Sequence, residues 1–102
     1  MTRDISPMVY LMASRKNGTL YLGVTSNLLQ RVAQHRASTL GGFTATHNVK
    51  LLVWLEPHPT MESAILREKQ VKAWRRVWKL DLIESTNPGW RDLATDYGFE
   101  PL

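Results

Sequence analysis

The segment Met8–Thr25, with the sequence MVYLMASRKNGTLYLGVT, decides the fold predicted for this chain, because two apolar runs flank an Asn-Gly pair. Such a pair favours a β-hairpin with a two-residue loop. In that register Ser14 lies opposite Tyr21. Since side chains alternate between the two faces of a strand, we expect Tyr10 and Tyr21 on one face, with Gly23 leaving a gap between their rings where a substrate approaches. A three-residue loop would instead place the two phenols on opposite faces.

Length and composition narrow the class of protein. A chain of 102 residues makes one domain, with a core predicted over about residues 7–94. The absence of cysteine excludes disulfides, thiolate nucleophiles and cysteine-ligated zinc. No apolar run is long enough for a membrane span or a signal peptide, so we expect a cytoplasmic protein without a membrane partner. Thirteen Lys and Arg against nine Asp and Glu give a net charge of +4, which favours an anionic partner.

The rest of the chain alternates between helical and strand-like patterns, and capping residues mark the helix starts. The predicted order is β-β-α-β-α, an α+β fold with a small three-stranded antiparallel sheet flanked by helices. After the hairpin, the predicted elements are a helix from Asn27 to about Ala37, a loop over 38–48, a strand over 49–56, a long helix from Thr60 to about Leu80, a short helix or extension over 82–86, and a last turn over 90–93.

Charged residues border the apolar stripes of both predicted helices. Arg31 and His35 are four residues apart on one face of the first helix, beside its apolar stripe. In the second helix, the stripe of Ala64 and Ile65 leads directly to Glu68. A carboxylate at that position is not placed for simple solvation. The sequence therefore predicts a polar site between the helices and the sheet.

The second helix is strongly basic, which suits a surface that follows phosphate groups. A solvated helix face is the simpler alternative. Trp74 and Trp78 are four residues apart, and we interpret them as core residues and not as a base-stacking platform. The cations predicted to contact nucleic acid are Lys69, Lys72, Arg75, Arg76 and Lys79.

Each of these features also has a purely structural interpretation. Tyr10 and Tyr21 have side chains typical of packed strand residues. Arg31 and Glu68 would form a structural ion pair between the two helices. His35 alone would be an amphipathic surface residue.

Taken in their order along the chain, the residues discussed above, together with Asn87, resemble the GIY-YIG endonuclease family. The resemblance covers nearly the whole chain. It is greatest to small stand-alone bacterial members related to the N-terminal nuclease domain of the nucleotide-excision-repair subunit UvrC. Met8-Val9-Tyr10 stands in place of GIY, and Leu22 replaces the isoleucine of YIG. The residues that carry the resemblance are Tyr10, Tyr21-Leu22-Gly23, Arg31, His35, Glu68 and Asn87, with Gly42-Phe43-Thr44, Arg67-Glu68-Lys69 and Asn87-Pro88, Trp90 and Asp92-Leu93 as further signatures.

The resemblance implies a catalytic set and a metal. Glu68 would hold one divalent cation, Mg²⁺ or Mn²⁺, and Arg31 would contact the scissile phosphate. His35 would orient a phenol or contact phosphate. Tyr10 is assigned as general base, its phenolate favoured by Arg31 and the metal, and Tyr21 as its partner, with the reverse order left open. The expected catalytic residues are Tyr10, Tyr21, Arg31, His35, Glu68 and Asn87, with Gly23 in a structural role.

The implied activity is metal-dependent hydrolysis of nucleic acid. The expected enzyme is a structure-selective endonuclease of repair or recombination, acting on DNA in preference to RNA. The alternative is a catalytically silent nucleic-acid-binding or interaction module on the same fold. The sequence leaves the oligomeric state open.

Overall fold

The fold is built on a three-stranded antiparallel sheet, in a computed structural model that describes residues 6–37 and 47–102. The strands are β1 (Met8–Ala13), β2 (Leu20–Thr25) and β3 (Leu51–Pro57). They lie in the order β2-β1-β3, so β1 is central and β2 is an edge strand. The predicted α+β class and three-stranded sheet are confirmed.

The described residues also form three α-helices and a short 3-10 helix. They are α1 (Leu28–Arg36), α2 (Met61–Lys72), α3 (Arg76–Thr86) and a 3-10 helix (Leu93–Tyr97). The predicted caps of the first two helices are present, since Asn27 accepts a hydrogen bond from the Gln30 amide and Thr60 accepts one from the Ser63 amide. Of the predicted loop over 38–48, residues 38–46 lie outside the described part. No helix within the described ranges is long and apolar enough to cross a membrane.

The hairpin has a longer loop than the sequence predicts. Ser14 lies opposite Thr19, so the loop contains residues 15–18, and Met12 lies opposite Tyr21. A two-residue type I′ turn needs a positive φ at both Asn17 and the glycine after it, whereas of these two only Asn17 has one, at 58°. The true register differs from the predicted one by two residues. A shift by two preserves the face of every side chain, so both phenols still lie on one face of the sheet.

The two faces of the sheet are covered by different helices. Side chains of β1 alternate between two apolar clusters, with Tyr10 and Met12 facing α1, and Val9 and Leu11 facing α2 and α3. The α1 cluster also contains Leu28, Val32, Val49, Leu52 and Ala94, whereas the opposite cluster contains Ala13, Val53, Trp54, Ala64, Ile83 and Trp90. Helices α1 and α2 therefore lie on opposite sides of the sheet.

The predicted long helix is wrong, because the chain leaves helical geometry at residues 73–75. If one straight helix of 3.6 residues per turn ran through this segment, Ile83 would lie roughly 100° around the helix axis from Ala64. Both residues are fully buried in the same cluster. The chain turns between them, and the amides of Ala73 and Trp74 bond to carbonyls three residues earlier.

Candidate active site

Three aromatic side chains pack together on the α1 face of the sheet. The Tyr10 hydroxyl lies 3.0 Å from Nε2 of His35. The Tyr21 ring centroid is 5.0 Å from that of His35 and 6.3 Å from that of Tyr10. Tyr10 and His35 are each 1% exposed, whereas Tyr21, on the edge strand, is partly exposed. The structure thus brings both predicted tyrosines and the predicted histidine into one cluster, and it places His35 in the core and not on the surface.

Gly23 lies directly opposite Tyr10 in the hairpin. A Cβ atom at Gly23 would lie 2.5 Å from both Cζ and Oη of Tyr10, which is far inside van der Waals contact. The predicted gap beside Gly23 is therefore filled by the Tyr10 ring, and a substrate does not approach there. Gly23 keeps its predicted structural role, because only glycine leaves room for the phenol.

Burial controls the protonation of Tyr10 and His35. Burial raises the pKa of Tyr10, the neighbouring Tyr21 raises it further, and Arg31 lowers it by a smaller amount. The pKa of His35 is lowered, first by burial and then by Arg31. Contrary to the expectation from the sequence, Arg31 does not favour a Tyr10 phenolate enough to offset burial. Both groups are neutral near neutral pH.

The hydrogen bond between Tyr10 and His35 can form with either neutral tautomer of the imidazole. With the proton on Nε2, the imidazole donates to the Tyr10 oxygen, and the buried Tyr10 O–H needs another acceptor. With the proton on Nδ1, the Tyr10 O–H donates to Nε2, and the buried Nδ1 N–H has no hydrogen-bond partner among the described residues.

Glu68 lies in a groove along the outer edge of β2. The groove has a volume of about 640 Å³ and also contains Tyr21, so that residue belongs both to the aromatic cluster and to the groove. Within the described ranges, the Glu68 carboxylate makes neither a hydrogen bond nor an ion pair, and no Arg31–Glu68 ion pair forms. The residues lining the groove are Leu20, Tyr21, Leu22, Gly23, Val24, Glu68, Lys72 and Lys79.

The groove fits a sparsely ligated divalent cation. Glu68 is its only carboxylate, and the described residues contain no group of three or more His, Asp or Glu side chains arranged to hold a metal. Mg²⁺ tolerates such a site because it retains several waters and also takes substrate oxygens. Lys72 and Lys79 oppose a bare cation by charge repulsion.

The residues of the predicted basic surface differ in their location and contacts. Lys72 and Lys79 line the Glu68 groove, whereas Lys69 is exposed on α2. Arg76 donates to the carbonyls of Asn17 and Gly18, 2.9 and 2.6 Å away, and so ties α3 to the hairpin loop.

The two tryptophans near the turn between α2 and α3 were predicted to be core. That prediction is wrong for Trp78, which is 50% exposed, with the exposed Arg75 guanidinium 5.6 Å from its ring centroid. Trp74 is partly buried, with Arg67 5.1 Å from its ring centroid. In one continuous helix, Trp78 would lie on the same stripe as Ala64. The chain turns at residues 73–75, so Trp78 leaves that stripe.

Both polar atoms of the Asn87 side-chain amide form hydrogen bonds within the fold. Its Nδ2 donates to the carbonyls of Val53 and Arg91, 3.0 and 2.8 Å away, and its Oδ1 accepts from the Arg91 amide at 2.9 Å. Asn87 is buried at the C-terminal end of α3 and is absent from the lining of the Glu68 groove. None of these hydrogen bonds joins Asn87 to another predicted catalytic residue.

Some polar contacts join residues that the sequence does not pair. Arg36 bonds to Asp92, and the other Asp92 oxygen accepts from the amides of Leu52 and Ala94. Glu56 accepts from Arg67 and lies 2.7 Å from Nε2 of His58. The bonds of Arg36 and Arg67 join different elements of the fold, so no periodicity within one element predicts them.

Comparison with known proteins shows the family to which this chain belongs. Residues 6–81 match the sequence profile described as the GIY-YIG catalytic domain. The chain belongs to the GIY-YIG family, which is a family of nucleases.

Its relatives include small proteins of the UPF0213 group. UPF0213 protein SH2523 of Staphylococcus haemolyticus is 34% identical over 76 residues, which cover 74% of this chain and 92% of that protein. A UPF0213 protein of Syntrophus aciditrophicus is 35% identical over 71 residues, covering 69% of this chain and 80% of the other. The solution NMR structure of the UPF0213 protein BH0048 from Bacillus halodurans has a similar fold, with a TM-score of 0.55 and 23% identity, covering 89% of this chain and 96% of that one.

Proposed function

We propose that this protein is a metal-dependent endonuclease that hydrolyses phosphodiester bonds in DNA. The observation that carries the proposal is that Tyr21 joins two parts of a site. Its ring packs against His35 and Tyr10, while the same residue lines the groove of Glu68. A general base, a metal-binding carboxylate and cationic side chains along one groove are what in-line hydrolysis of a phosphodiester requires.

Arg31 is proposed to bind the scissile phosphate. It lies close enough to Tyr10 and His35 to influence the pKa of both. Its guanidinium forms no ion pair within the described residues. An arginine beside a largely neutral cluster has its full charge available for a phosphate, which it can bind through two parallel hydrogen bonds.

Tyr21 is proposed as the general base, which reverses the order assigned from the sequence. Tyr10 is buried, neutral and bonded to His35, so it is a poor proton acceptor. It is instead suited to orient the reacting groups. Tyr21 is partly exposed and lies in the same groove as Glu68, Lys72 and Lys79, where water and phosphate have access.

The proposed reaction is direct attack by water. Tyr21, acting as the phenolate, takes a proton from the water as the water oxygen forms a bond to phosphorus. The bond between phosphorus and the leaving oxygen breaks, and the leaving oxygen takes a proton from solvent. Arg31 stabilises the negative charge on the non-bridging oxygens. A divalent cation held by Glu68 would supply Lewis-acid stabilisation of the phosphate and of the leaving oxygen.

The groove favours recognition of shape over recognition of sequence. Among its described lining residues, lysines and apolar groups predominate, and none is an Asn, Gln or Arg of the kind that reads base edges. We therefore propose branched, flapped or single-stranded DNA as substrates, which would suit a role in repair or recombination.

The proposal is tested with labelled duplex, flap, branched and single-stranded DNA and RNA, in Mg²⁺ or in EDTA. We expect Mg²⁺-dependent cleavage of at least one DNA, and we expect Glu68→Gln to lower the rate at least about 1,000-fold. Glu62→Gln is the matched control, because Glu62 is an exposed acid on the same helix. Full activity of Glu68→Gln would refute the site. Salt-dependent DNA binding without turnover of any substrate would identify a silent binding module.

A further inference from the structure

A second groove lies beside the hairpin loop. It has a volume of about 510 Å³ and is rich in positive charge. Arg15, Arg76 and Lys79 are its charged residues, and no carboxylate lines it. The complete lining is Arg15, Asn17, Gly18, Thr19, Leu20, Arg76 and Lys79. We call it the hairpin groove.

The hairpin groove adjoins the Glu68 groove. Leu20 and Lys79 line both, so the two form one path along the edge of β2. Thr19 lies in the hairpin groove and Tyr21 in the Glu68 groove, two residues apart on an extended chain, which corresponds to about 7 Å. Neighbouring phosphates of one nucleic-acid strand are about 6–7 Å apart along the backbone, although the rise along the helix axis is only about 3.4 Å per nucleotide, so that distance spans about one nucleotide.

Hydrogen bonds hold the hairpin loop in place beside α3. Arg76 holds the loop through the carbonyls of Asn17 and Gly18, and Ser14 Oγ accepts a hydrogen bond from the Thr19 amide. A Cβ at Gly18 would lie 2.4 Å from Ser14 Oγ and 2.8 Å from Arg15 Cγ, so glycine allows this close packing. A cationic site that is ordered in advance loses little entropy when an anion binds.

We propose that the hairpin groove binds a phosphate of the cleaved strand about one nucleotide from the scissile bond, with Arg15 as its main contact residue. This inference rests on the proposed nuclease function, because it assumes that the Glu68 groove holds the scissile phosphate. Arg76 keeps the loop in place, and Lys79 lies between the two phosphates. The hairpin loop thereby sets how much of the strand must extend past the cut.

The first test compares Arg15→Gln with Lys16→Gln. Both remove one positive charge from the same exposed loop, but only Arg15 lines the groove. In EDTA, we expect Arg15→Gln to weaken binding of a DNA substrate and to reduce the slope of log K against log salt by about 1, while Lys16→Gln changes the slope little. In Mg²⁺, Arg15→Gln should raise KM about 5- to 30-fold with kcat within about twofold of wild type. Equal effects of the two variants would refute the inference.

The second test uses substrates whose cleaved strand ends one or four nucleotides beyond the cut, on either side. We expect shortening on one side to lower kcat/KM for the wild type and not for Arg15→Gln. Equal losses in both proteins would refute the inference alone and leave the nuclease proposal in place. DNA binding that depends on Arg15, without cleavage of any substrate, would refute the nuclease proposal while still supporting a phosphate in the hairpin groove.

Discussion

The central strand and the edge strand of the sheet each carry a tyrosine, and the two phenols differ in their surroundings. Tyr10, on β1, has a strand on either side and is 1% exposed. Tyr21, on β2, has a strand on one side only and opens onto the Glu68 groove. The proposed mechanism therefore gives the same side chain two tasks. In that proposal the buried phenol keeps its proton and positions other groups, whereas the edge phenol meets water and substrate.

Two neighbours maintain this difference between the strands. Gly23 leaves room for the Tyr10 ring, and His35 bonds to its hydroxyl from α1. On the opposite face of the sheet, the core is formed by aliphatic side chains together with Trp54 and Trp90.

Among substitutions of residues that support the site, Gly23→Ala should lower the cleavage rate the most. The new methyl group would overlap Cζ and Oη of Tyr10, so the ring must move and its hydrogen bond to His35 must break. Displacement of a positioning group by about 1 Å can cost about 100-fold in rate, so we expect at least that loss in single-turnover cleavage.

Gly89→Ala is the control for this substitution. No atom lies within 4 Å of the position that its Cβ would occupy, so it should leave the rate unchanged. A wild-type rate in Gly23→Ala would contradict the tight packing of β1 against β2 and the role given to Tyr10.

Asn87→Ala should affect stability more than chemistry. It removes three hydrogen bonds and leaves the buried Val53 carbonyl without the donor that Asn87 supplies, which should lower the free energy of unfolding by about 2–4 kcal/mol. Urea denaturation measures that loss. The cleavage rate per folded molecule should stay within about threefold of wild type. A normal stability combined with a large loss of rate would return Asn87 to the catalytic set.

The sequence predicts the face that each tyrosine occupies better than the loop that joins their strands. The side-chain period of two survives a register shift of two, so Tyr10 and Tyr21 share a face although the hairpin loop is longer than predicted. The position of Gly23 opposite Tyr10 depends on that register, and hence on loop dihedrals that the Asn-Gly signal alone does not fix.

Other differences arise from tertiary structure. Helical periodicity continues through Trp74 and Trp78, but the chain turns at residues 73–75, and Ala64 and Ile83 are buried in one cluster. The side-chain amide of Asn87 is used by groups from β3 and from the following turn, which no local pattern reveals.

The pH dependence of stability should show the smallest effect. The lowered pKa of His35 means that the unfolded chain binds a proton more readily than the folded protein does. Stability is then lost as the pH falls below the unfolded value of about 6.5, by at most about 1.4 kcal/mol per pH unit. Denaturation of His35→Gln between pH 7 and 5 should remove that part of the slope, while a control at the exposed His47 should retain it. Parallel slopes for wild type and His35→Gln would contradict a neutral, buried His35.

The most direct test of the different tasks of the two phenols is the single-turnover cleavage rate of Tyr21→Phe and Tyr10→Phe at saturating Mg²⁺ and DNA. Loss of a general base typically costs about 100- to 10,000-fold. We predict a loss of about 1,000-fold or more for Tyr21→Phe and a loss of about 10- to 100-fold for Tyr10→Phe. A Tyr21→Phe protein that cleaves at the wild-type rate, or a larger loss in Tyr10→Phe, would contradict the assignment of the edge-strand phenol as the base.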